Sequence, residues 1–100
     1  MALVVPVVHS TIPRTYTIIH PGGLTDAPPG QRQLVVTKDD AEPAGATRVV
    51  SRADLAALVV AALASPHAAN KSFDLISMPD GEGVPTTDMD ALLQEATEGL

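Results

Sequence analysis

The pattern of apolar and polar positions divides the chain into short apolar segments separated by turns rich in proline and glycine. Four of these segments are short and rich in β-branched residues, which is typical of strands in a buried sheet. They are Thr15–Ile19, Leu34–Thr37, Thr47–Val50 and Ser72–Ile76. The connections PGGLTDAPPGQRQ and KDDAEPAGA contain too many polar and turn-forming residues to be predicted as elements.

The segment SRADLAALVVAALASP has the pattern of a helix. Ser51 is a preferred N-cap residue, Asp54 stands where a capping box has its acidic half, and Pro66 follows the end. Apolar residues recur at helical spacing and predict one buried stripe. The stripe consists of Leu55, Leu58, Val59, Ala62 and Leu63.

A second helix is predicted from Asp88 to about Glu98, with Thr87 as its N-cap. Its apolar stripe consists of Met89, Leu92, Leu93 and Ala96. The resulting order, β-β-β-α-β-α, predicts an α/β fold, because a helix between two strands forms a crossover and crossovers join parallel strands.

Composition narrows the class of protein. The 100 residues suffice for one small domain or part of a larger one, and the aromatic residues are only Tyr16 and Phe73. A core of Val, Leu, Ile and Ala favours an α/β sheet over a module that stacks nucleic-acid bases on aromatic rings. The net charge of -6 also argues against nucleic acid as a partner. Because the chain has no cysteine, we expect neither disulfides nor thiolate sites, which fits a soluble protein of a reducing compartment, the cytoplasm or the plastid stroma.

The apolar start of the chain, MALVVPVV, is too short to span a bilayer and lacks the features of a signal peptide. We therefore expect no membrane segment. Residues 1–14 are treated as an apolar N-terminal segment without an assigned role, and residues 15–100 as the domain. In this interpretation the strand Thr15–Ile19 has an unpaired edge, through which chains would associate.

Few residues are arranged for chemistry. Gly81 and Gly83 lie in GEGVPT, but the third glycine and the acidic partner of a dinucleotide-binding turn are lacking, which indicates an ordinary loop. The three histidines are too isolated to predict a metal site. Ser51, His20 and Asp54 are residue types of a hydrolytic triad, but a G-x-S-x-G turn is lacking and two of them are expected to cap a helix.

The stretch YTIIHPGG raises a question of its own. A strand that ends in a proline and two glycines ends either at an ordinary turn or where something must approach the backbone closely. The residues alone leave both interpretations open.

YTIIHPGGL, VVSRADLAALVVAAL and NKSFDLIS, in that order and spacing, resemble the C-terminal part of the atypical short-chain dehydrogenase/reductases. These are single-domain NAD(P)-binding Rossmann proteins of plants and cyanobacteria, and the resemblance covers roughly Thr15 to Leu100. It implies the C-terminal portion of a doubly wound parallel sheet. It also implies NADP or NAD as the cofactor of the complete protein, and an unknown small molecule as the substrate.

The resemblance implies site residues as well. In that family the strand ending in Pro-Gly brings its backbone to the nicotinamide, and the helix start borders the substrate cleft. The implied cofactor-binding residues are His20, Pro21, Gly22, Gly23 and Leu24, and the implied cleft residue is Arg52. The family usually has Arg where this chain has His20, so the forked charge of a guanidinium is not expected at this position.

Parts of the family pattern are lacking in this chain. It has no glycine-rich loop at its start and no Tyr-x-x-x-Lys pair. One hypothesis is therefore a fragment of an NAD(P)-binding reductase-like protein that contributes the nicotinamide and substrate side of the cleft and is inactive alone. The other is a non-enzymatic binding or regulatory half-domain that pairs with another chain.

Overall fold

The computed structural model describes residues 3–7, 15–38 and 43–96. The strands and helices along these residues are β1 (Leu3–Val7), β2 (Thr15–Pro21), β3 (Gly23–Thr25), β4 (Leu34–Thr37), β5 (Val49–Ser51), α1 (Arg52–Ala64), β6 (Lys71–Ser77) and α2 (Met89–Glu95). A short 3-10 helix, Pro66–Ala68, connects α1 to β6. The fold is α/β, as predicted.

The strands form one sheet of four strands in the order β1-β2-β6-β4 and a separate pair of β3 with β5. β2 and β6 are parallel, as are β3 and β5. The β1–β2 and β4–β6 pairs are antiparallel, so the expectation of a wholly parallel sheet is wrong. Parallel strands need a crossover of a dozen or more residues, whereas residues 8–14 are too few to form one between β1 and β2.

β1 lies within residues 1–14 and pairs with β2. The pairing of β1 with β2 runs in register from Leu3 opposite Ile19 to Val7 opposite Thr15. β2 therefore has a neighbour on each side, and the unpaired edge expected at Thr15–Ile19 does not exist. β1 is itself an edge strand, which is where a proline such as Pro6 is tolerated.

β3 also lies within a stretch that was predicted to be a loop. Gly23–Thr25 pair with Val49–Ser51, and the next element on the β5 side is α1. A strand this short carries no recognisable alternation of apolar and polar residues, so only its partner strand reveals it. The predicted strand from Thr47 to Val50 begins two residues later than expected, although Thr47 forms an isolated bridge to Ser77.

α1 begins as the sequence indicates. The Ser51 hydroxyl accepts a hydrogen bond from the Asp54 amide at 2.9 Å, which makes Ser51 the N-cap. The inward face of the helix carries Leu55, Leu58 and Ala62, all buried. Leu63 was predicted to belong to this face but is 51% exposed, because it lies on the side of the helix that the described residues leave uncovered.

α2 ends at Glu95, and its predicted end near Glu98 lies outside the described residues; its N-cap also differs from the prediction. Its N-cap is Asp88, whose carboxylate accepts from the Ala91 amide at 3.0 Å, so the prediction of Thr87 is wrong. The Leu92 amide donates to the Asp88 carbonyl, which places the first turn one residue further along the chain. Leu92, Leu93 and Ala96 are buried, which confirms the predicted apolar stripe of this helix.

The core lies between the sheet and the two helices. It contains almost entirely aliphatic side chains, as the composition predicted, with Phe73 as its aromatic member. The buried members are Ile19, Leu34, Val50, Leu55, Leu58, Ala62, Ala68, Phe73, Leu75, Leu92, Leu93 and Ala96.

Candidate functional site

The Pro-Gly-Gly segment carries the chain from one group of strands to the other. Pro21, the last residue of β2, lies opposite Leu75 of β6, and the Gly22 amide donates to the Leu75 carbonyl at 2.9 Å. The Gly23 amide then donates to the Arg48 carbonyl at 2.8 Å, and β3 continues beside β5. The segment therefore lies at the carboxyl end of β2, where the chain stops pairing with β6 and begins to pair with β5.

This crossing explains one glycine of the pair. A Cβ atom on Gly22 would lie 2.8 Å from the Arg48 carbonyl carbon and would overlap the carbonyl oxygen. A Cβ atom on Gly23 would meet Val49 Cγ1 at 3.5 Å, an ordinary contact. Among the described residues the glycines with positive φ lie elsewhere, so neither of these two is required for a left-handed conformation. Gly22 is thus required by the backbone at Arg48.

The implied cofactor-binding residues form one continuous strip. His20 and Gly23 are exposed, and the two residues between them are half-buried. Leu24 is half-buried and packs against the core. The strip thus contains an exposed imidazole near the end of β2 and an exposed backbone at Gly23, just after that end.

Arg52 lies beside this strip at the start of α1. The register of β3 with β5 sets Thr25 opposite Ser51, so the residues that follow each of them are neighbours. Arg52 Nη1 and Asp26 Oδ1 are 2.5 Å apart and form an ion pair at the surface. The position of Asp26 could not be predicted from the sequence, because only the pairing of β3 with β5 brings this residue to the helix start.

Asp54 makes a contact that the sequence analysis did not predict. Its carboxylate Oδ1 accepts from the Gly30 amide at 3.0 Å, instead of returning to the cap of its own helix. Asp54 is buried, with 4% of its surface exposed. The Asp54 side chain is therefore used outside α1, and Ser51 is used as the cap. These hydrogen bonds commit two members of the triad considered from the sequence to other partners.

The loop that contains Gly81 and Gly83 is fastened to the start of β4. The Val84 amide donates to Gln33 Oε1, and the Thr86 amide donates to the Arg32 carbonyl. Met89, the first residue of α2, follows several residues after Gly83, so the loop does not open a helix as a dinucleotide-binding turn does.

The same loop is held by an ion pair at its start. Arg32 Nε lies 2.9 Å from Asp80 Oδ1, and this hydrogen bond, with the charge of the guanidinium, lowers the pKa of the Asp80 carboxyl below its ordinary value. Arg32 also donates to the Ser77 hydroxyl at 3.4 Å. Ser77, at the end of β6, and Asp80, just after it, are thus used to hold the loop in place.

The fit of a nicotinamide cofactor to these residues is partial. Gly23 is exposed and has no side chain to cover its backbone. The backbone amides of Gly22 and Gly23 already donate hydrogen bonds to carbonyls of the protein. A hydrogen bond from this segment to the carboxamide of a nicotinamide would therefore use backbone carbonyl oxygens or the His20 imidazole. The described residues hold no glycine-rich turn that leads into a helix, the arrangement that binds a pyrophosphate. The strip therefore offers hydrogen-bonding groups and an exposed backbone, and the described residues around it offer no phosphate-binding turn.

Two further observations concern other kinds of site. Within the described ranges, the helices are too short or too polar to cross a membrane. In the same residues, His, Asp and Glu side chains do not gather in a group that would hold a metal ion.

The α/β fold has a mixed sheet in which β2 and β6 are parallel neighbours. This architecture is consistent with the Rossmann-like fold of proteins that bind dinucleotides. The model of the NAD(P)H-binding family matches residues 9–66, and the chain belongs to this family. Its cofactor class is therefore the nicotinamide dinucleotides.

Two plant proteins are similar to most of the chain. The uncharacterized chloroplastic protein At2g37660 of Arabidopsis thaliana is 46% identical over 82 residues, which are 82% of this chain and 25% of that protein. Sanguinarine reductase of Eschscholzia californica is 43% identical over 82 residues, which are 82% of this chain and 30% of that protein. The chain thus spans less than a third of the length of these relatives, and the similarity to a reductase agrees with an NAD(P)-binding reductase-like protein.

Proposed function

We propose that the chain forms the nicotinamide and substrate side of the cleft in an atypical short-chain dehydrogenase/reductase, and that it is inactive alone. The observation that supports this most is the Pro-Gly-Gly crossing at the carboxyl end of β2. Ligands of open α/β sheets lie beyond the carboxyl ends of the strands, at points where the order of strands changes. Membership of the NAD(P)H-binding family supplies the class of cofactor, either NADP or NAD.

In this proposal the strip from His20 to Leu24 borders the nicotinamide. Gly23 is its closest approach, because it is exposed and has no Cβ atom. Arg52 faces the substrate, a small molecule, and its pairing with Asp26 holds the guanidinium at the mouth of the cleft. The similarity to sanguinarine reductase supports reduction as the reaction of the complete protein.

Titration of the chain with NADPH by calorimetry tests the proposal. The described residues lack a pyrophosphate-binding turn, so we expect a dissociation constant weaker than about 10 μM, the equivalent of roughly 7 kcal/mol. Fusion of the chain to the upstream part of the Arabidopsis relative should restore tight binding. Tight binding by the chain alone would place the phosphate site within these residues and contradict the proposal.

Gly23→Val in the same fusion tests the nicotinamide edge. The branched side chain would occupy the space given to the ring, so we expect a loss of about 1 to 3 kcal/mol in cofactor affinity with the melting temperature retained. Ala57→Val, which adds bulk on the exposed face of α1, is the control. Equal affinities for wild type and Gly23→Val would contradict the assignment.

A second candidate is a non-enzymatic half-domain that pairs with another chain, and the outer face of α1 favours it. This face consists of Ala53, Ala56, Ala57, Val60, Leu63 and Ala64, all exposed. Val60 and Leu63 are 67% and 51% exposed, and a helix that is apolar all round is usually covered. Because β2 is paired with β1 and β6, another chain could not pair with its edge. In this candidate the other chain therefore binds the outer face of α1.

Sedimentation separates the second candidate from the first. If the α1 face is an interface, the wild-type chain should form a complex that Val60→Lys with Leu63→Lys disrupts, and NADPH should have no effect on it. A chain that stays monomeric at high concentration would remove this candidate.

The compartment belongs to the proposal as well. Absence of cysteine suits a reducing environment, the cytoplasm or the plastid stroma. The name of the Arabidopsis relative, which describes that protein as chloroplastic, favours the plastid.

A further inference from the structure

We propose that Asp54 is a positioning residue of the cleft, and that the segment Asp26–Gly30, which it holds, is the wall of the cleft next to Gly23 and Leu24. This inference rests on the proposed function. It adds a residue that neither the family match nor the resemblance assigns to the site.

The segment Asp26–Gly30 has the right place for such a wall. It follows directly on β3, so it begins at the carboxyl end of that strand. β5 runs parallel to β3 and leads into α1, so the first turn of α1 lies at the same end. Ligands of α/β sheets lie beyond this end, so in the proposal the segment and the helix start border the cleft together with the strip from His20 to Leu24.

Two contacts join the segment to the first turn of α1, and they differ in strength. The Arg52–Asp26 pair is exposed, with 57% and 91% of the two side chains accessible, so water and salt weaken it. The Asp54 carboxylate is buried and accepts from the Gly30 amide at 3.0 Å. A hydrogen bond from a backbone amide to a buried carboxylate is stronger, and its loss leaves the amide without this partner. Asp54 is therefore the main anchor.

The tip of the segment leaves open space on one side. Gly30 has a φ of +73°, and a Cβ atom built on it would meet no described atom within 4 Å. Pro28 and Pro29, just before it, restrict the backbone and make the segment stiff. In this inference the stiff segment shifts as a unit when the buried contact with Asp54 is lost.

Exchange of single backbone amides in the full chain, followed by nuclear magnetic resonance, tests the anchor. Asp54→Ala should speed exchange at the Gly30 amide. Asp54→Asn keeps an acceptor oxygen and should restore part of the protection. The matched control is Ser51→Ala, which removes the cap and should speed exchange at the Asp54 amide while the Gly30 amide stays protected. Unchanged exchange at Gly30 in Asp54→Ala would overturn the inference.

Binding of reduced nicotinamide mononucleotide tests the role in the cleft, because this probe carries only the end of the cofactor that the strip is proposed to border. Wild type should show saturable shifts at Gly22–Leu24 at millimolar probe. Asp54→Ala should bind about tenfold more weakly, while Ser51→Ala, matched to it in urea unfolding, binds like wild type. If Asp54→Ala does not fold, Asp54→Glu, which displaces the carboxylate by one methylene, should weaken binding in the same direction.

The outcomes separate this inference from the function on which it rests. If wild type binds and Asp54→Ala binds equally well despite faster exchange at Gly30, the inference is overturned and the proposed function stands. Equal weakening by Ser51→Ala would assign the effect to the helix end and also overturn the inference. If wild type shows no saturable shift at the strip, the proposed function fails, and this role of Asp54 fails with it.

Discussion

Gly22 and Gly23 are neighbours in the chain, yet only Gly22 lacks room for a side chain. A Cβ atom there would overlap the Arg48 carbonyl, a backbone group that cannot rotate away. We expect Gly22→Ala to lower the free energy of unfolding by about 1 to 3 kcal/mol, the scale of an overpacked core contact. Gly23→Ala should change it by less than about 0.5 kcal/mol. Urea unfolding of both variants measures the difference, and equal stabilities would show that the backbone at Arg48 can shift.

The sequence singled out the Pro-Gly-Gly segment but did not show which group lies close to its backbone. A proline and two glycines after a strand left two interpretations open, an ordinary turn and a close approach to the backbone. The approaching group at Gly22 is the backbone of Arg48, which is distant in sequence and becomes a neighbour only when β3 pairs with β5. Asp26 and Gly30 escaped notice for the same reason, because their partners lie on α1.

The identity of the N-cap of α2 can be tested by substitution. Asp88 is the N-cap of α2, whereas Thr87, its exposed neighbour, was the residue predicted from the sequence. Asp88→Ala should cost about 0.5 to 2 kcal/mol of unfolding free energy, because the Ala91 amide loses its acceptor. Thr87→Ala should have little effect. Thermal unfolding of the two variants measures which residue is the N-cap. A larger loss of unfolding free energy in Thr87→Ala than in Asp88→Ala would identify Thr87 as the cap.

Acidification should loosen contacts between elements. Hydrogen bonds from Arg32 and from Ser65 lower the pKa values of Asp80 and Asp90 below the ordinary 3.8. A carboxyl with a lowered folded pKa stabilises the fold above its unfolded pKa, and this stabilisation is lost as the pH falls through the folded pKa. Unfolding free energy should therefore fall below about pH 4, and less steeply in the double variant Asp80→Asn, Asp90→Asn. Glu82→Gln, an exposed carboxylate of the Asp80 loop, is the control, and equal slopes for the double variant and wild type would contradict the assignment.

The N-terminal strand is tested at the scale of the whole molecule. β1 covers one edge of β2 through five residue pairs, from Leu3 with Ile19 to Val7 with Thr15. A chain without residues 1–7 would leave the backbone amides and carbonyls of that edge unpaired, a surface on which other strands add. We expect light scattering to show association, and thermal unfolding to become broader with a lower midpoint than in the full chain. A truncated chain that remains monomeric with an unchanged transition would show that β1 contributes little.

Features that depend on neighbouring residues were determined by the sequence itself. The Ser51 cap and Pro66 set the limits of α1, and the apolar run Leu34–Thr37 matches β4, because caps, turns and strand preferences act over a few residues. The aliphatic composition likewise predicted the α/β class and its core.

Tertiary structure decided the features that need a distant partner. Strand direction, the pairing of β1 with β2 and the existence of β3 depend on which segments meet and on the length of the connections between them. The sequence indicated the inward side of α1 through Leu55, Leu58 and Ala62, but it could not set the limit of that side, because apolar residues continue round the helix. Leu63 is exposed while Leu58 is buried, since the sheet covers only one side. The contact of Asp54 with Gly30 has the same origin, since β3 and β5 bring the helix start and the segment together.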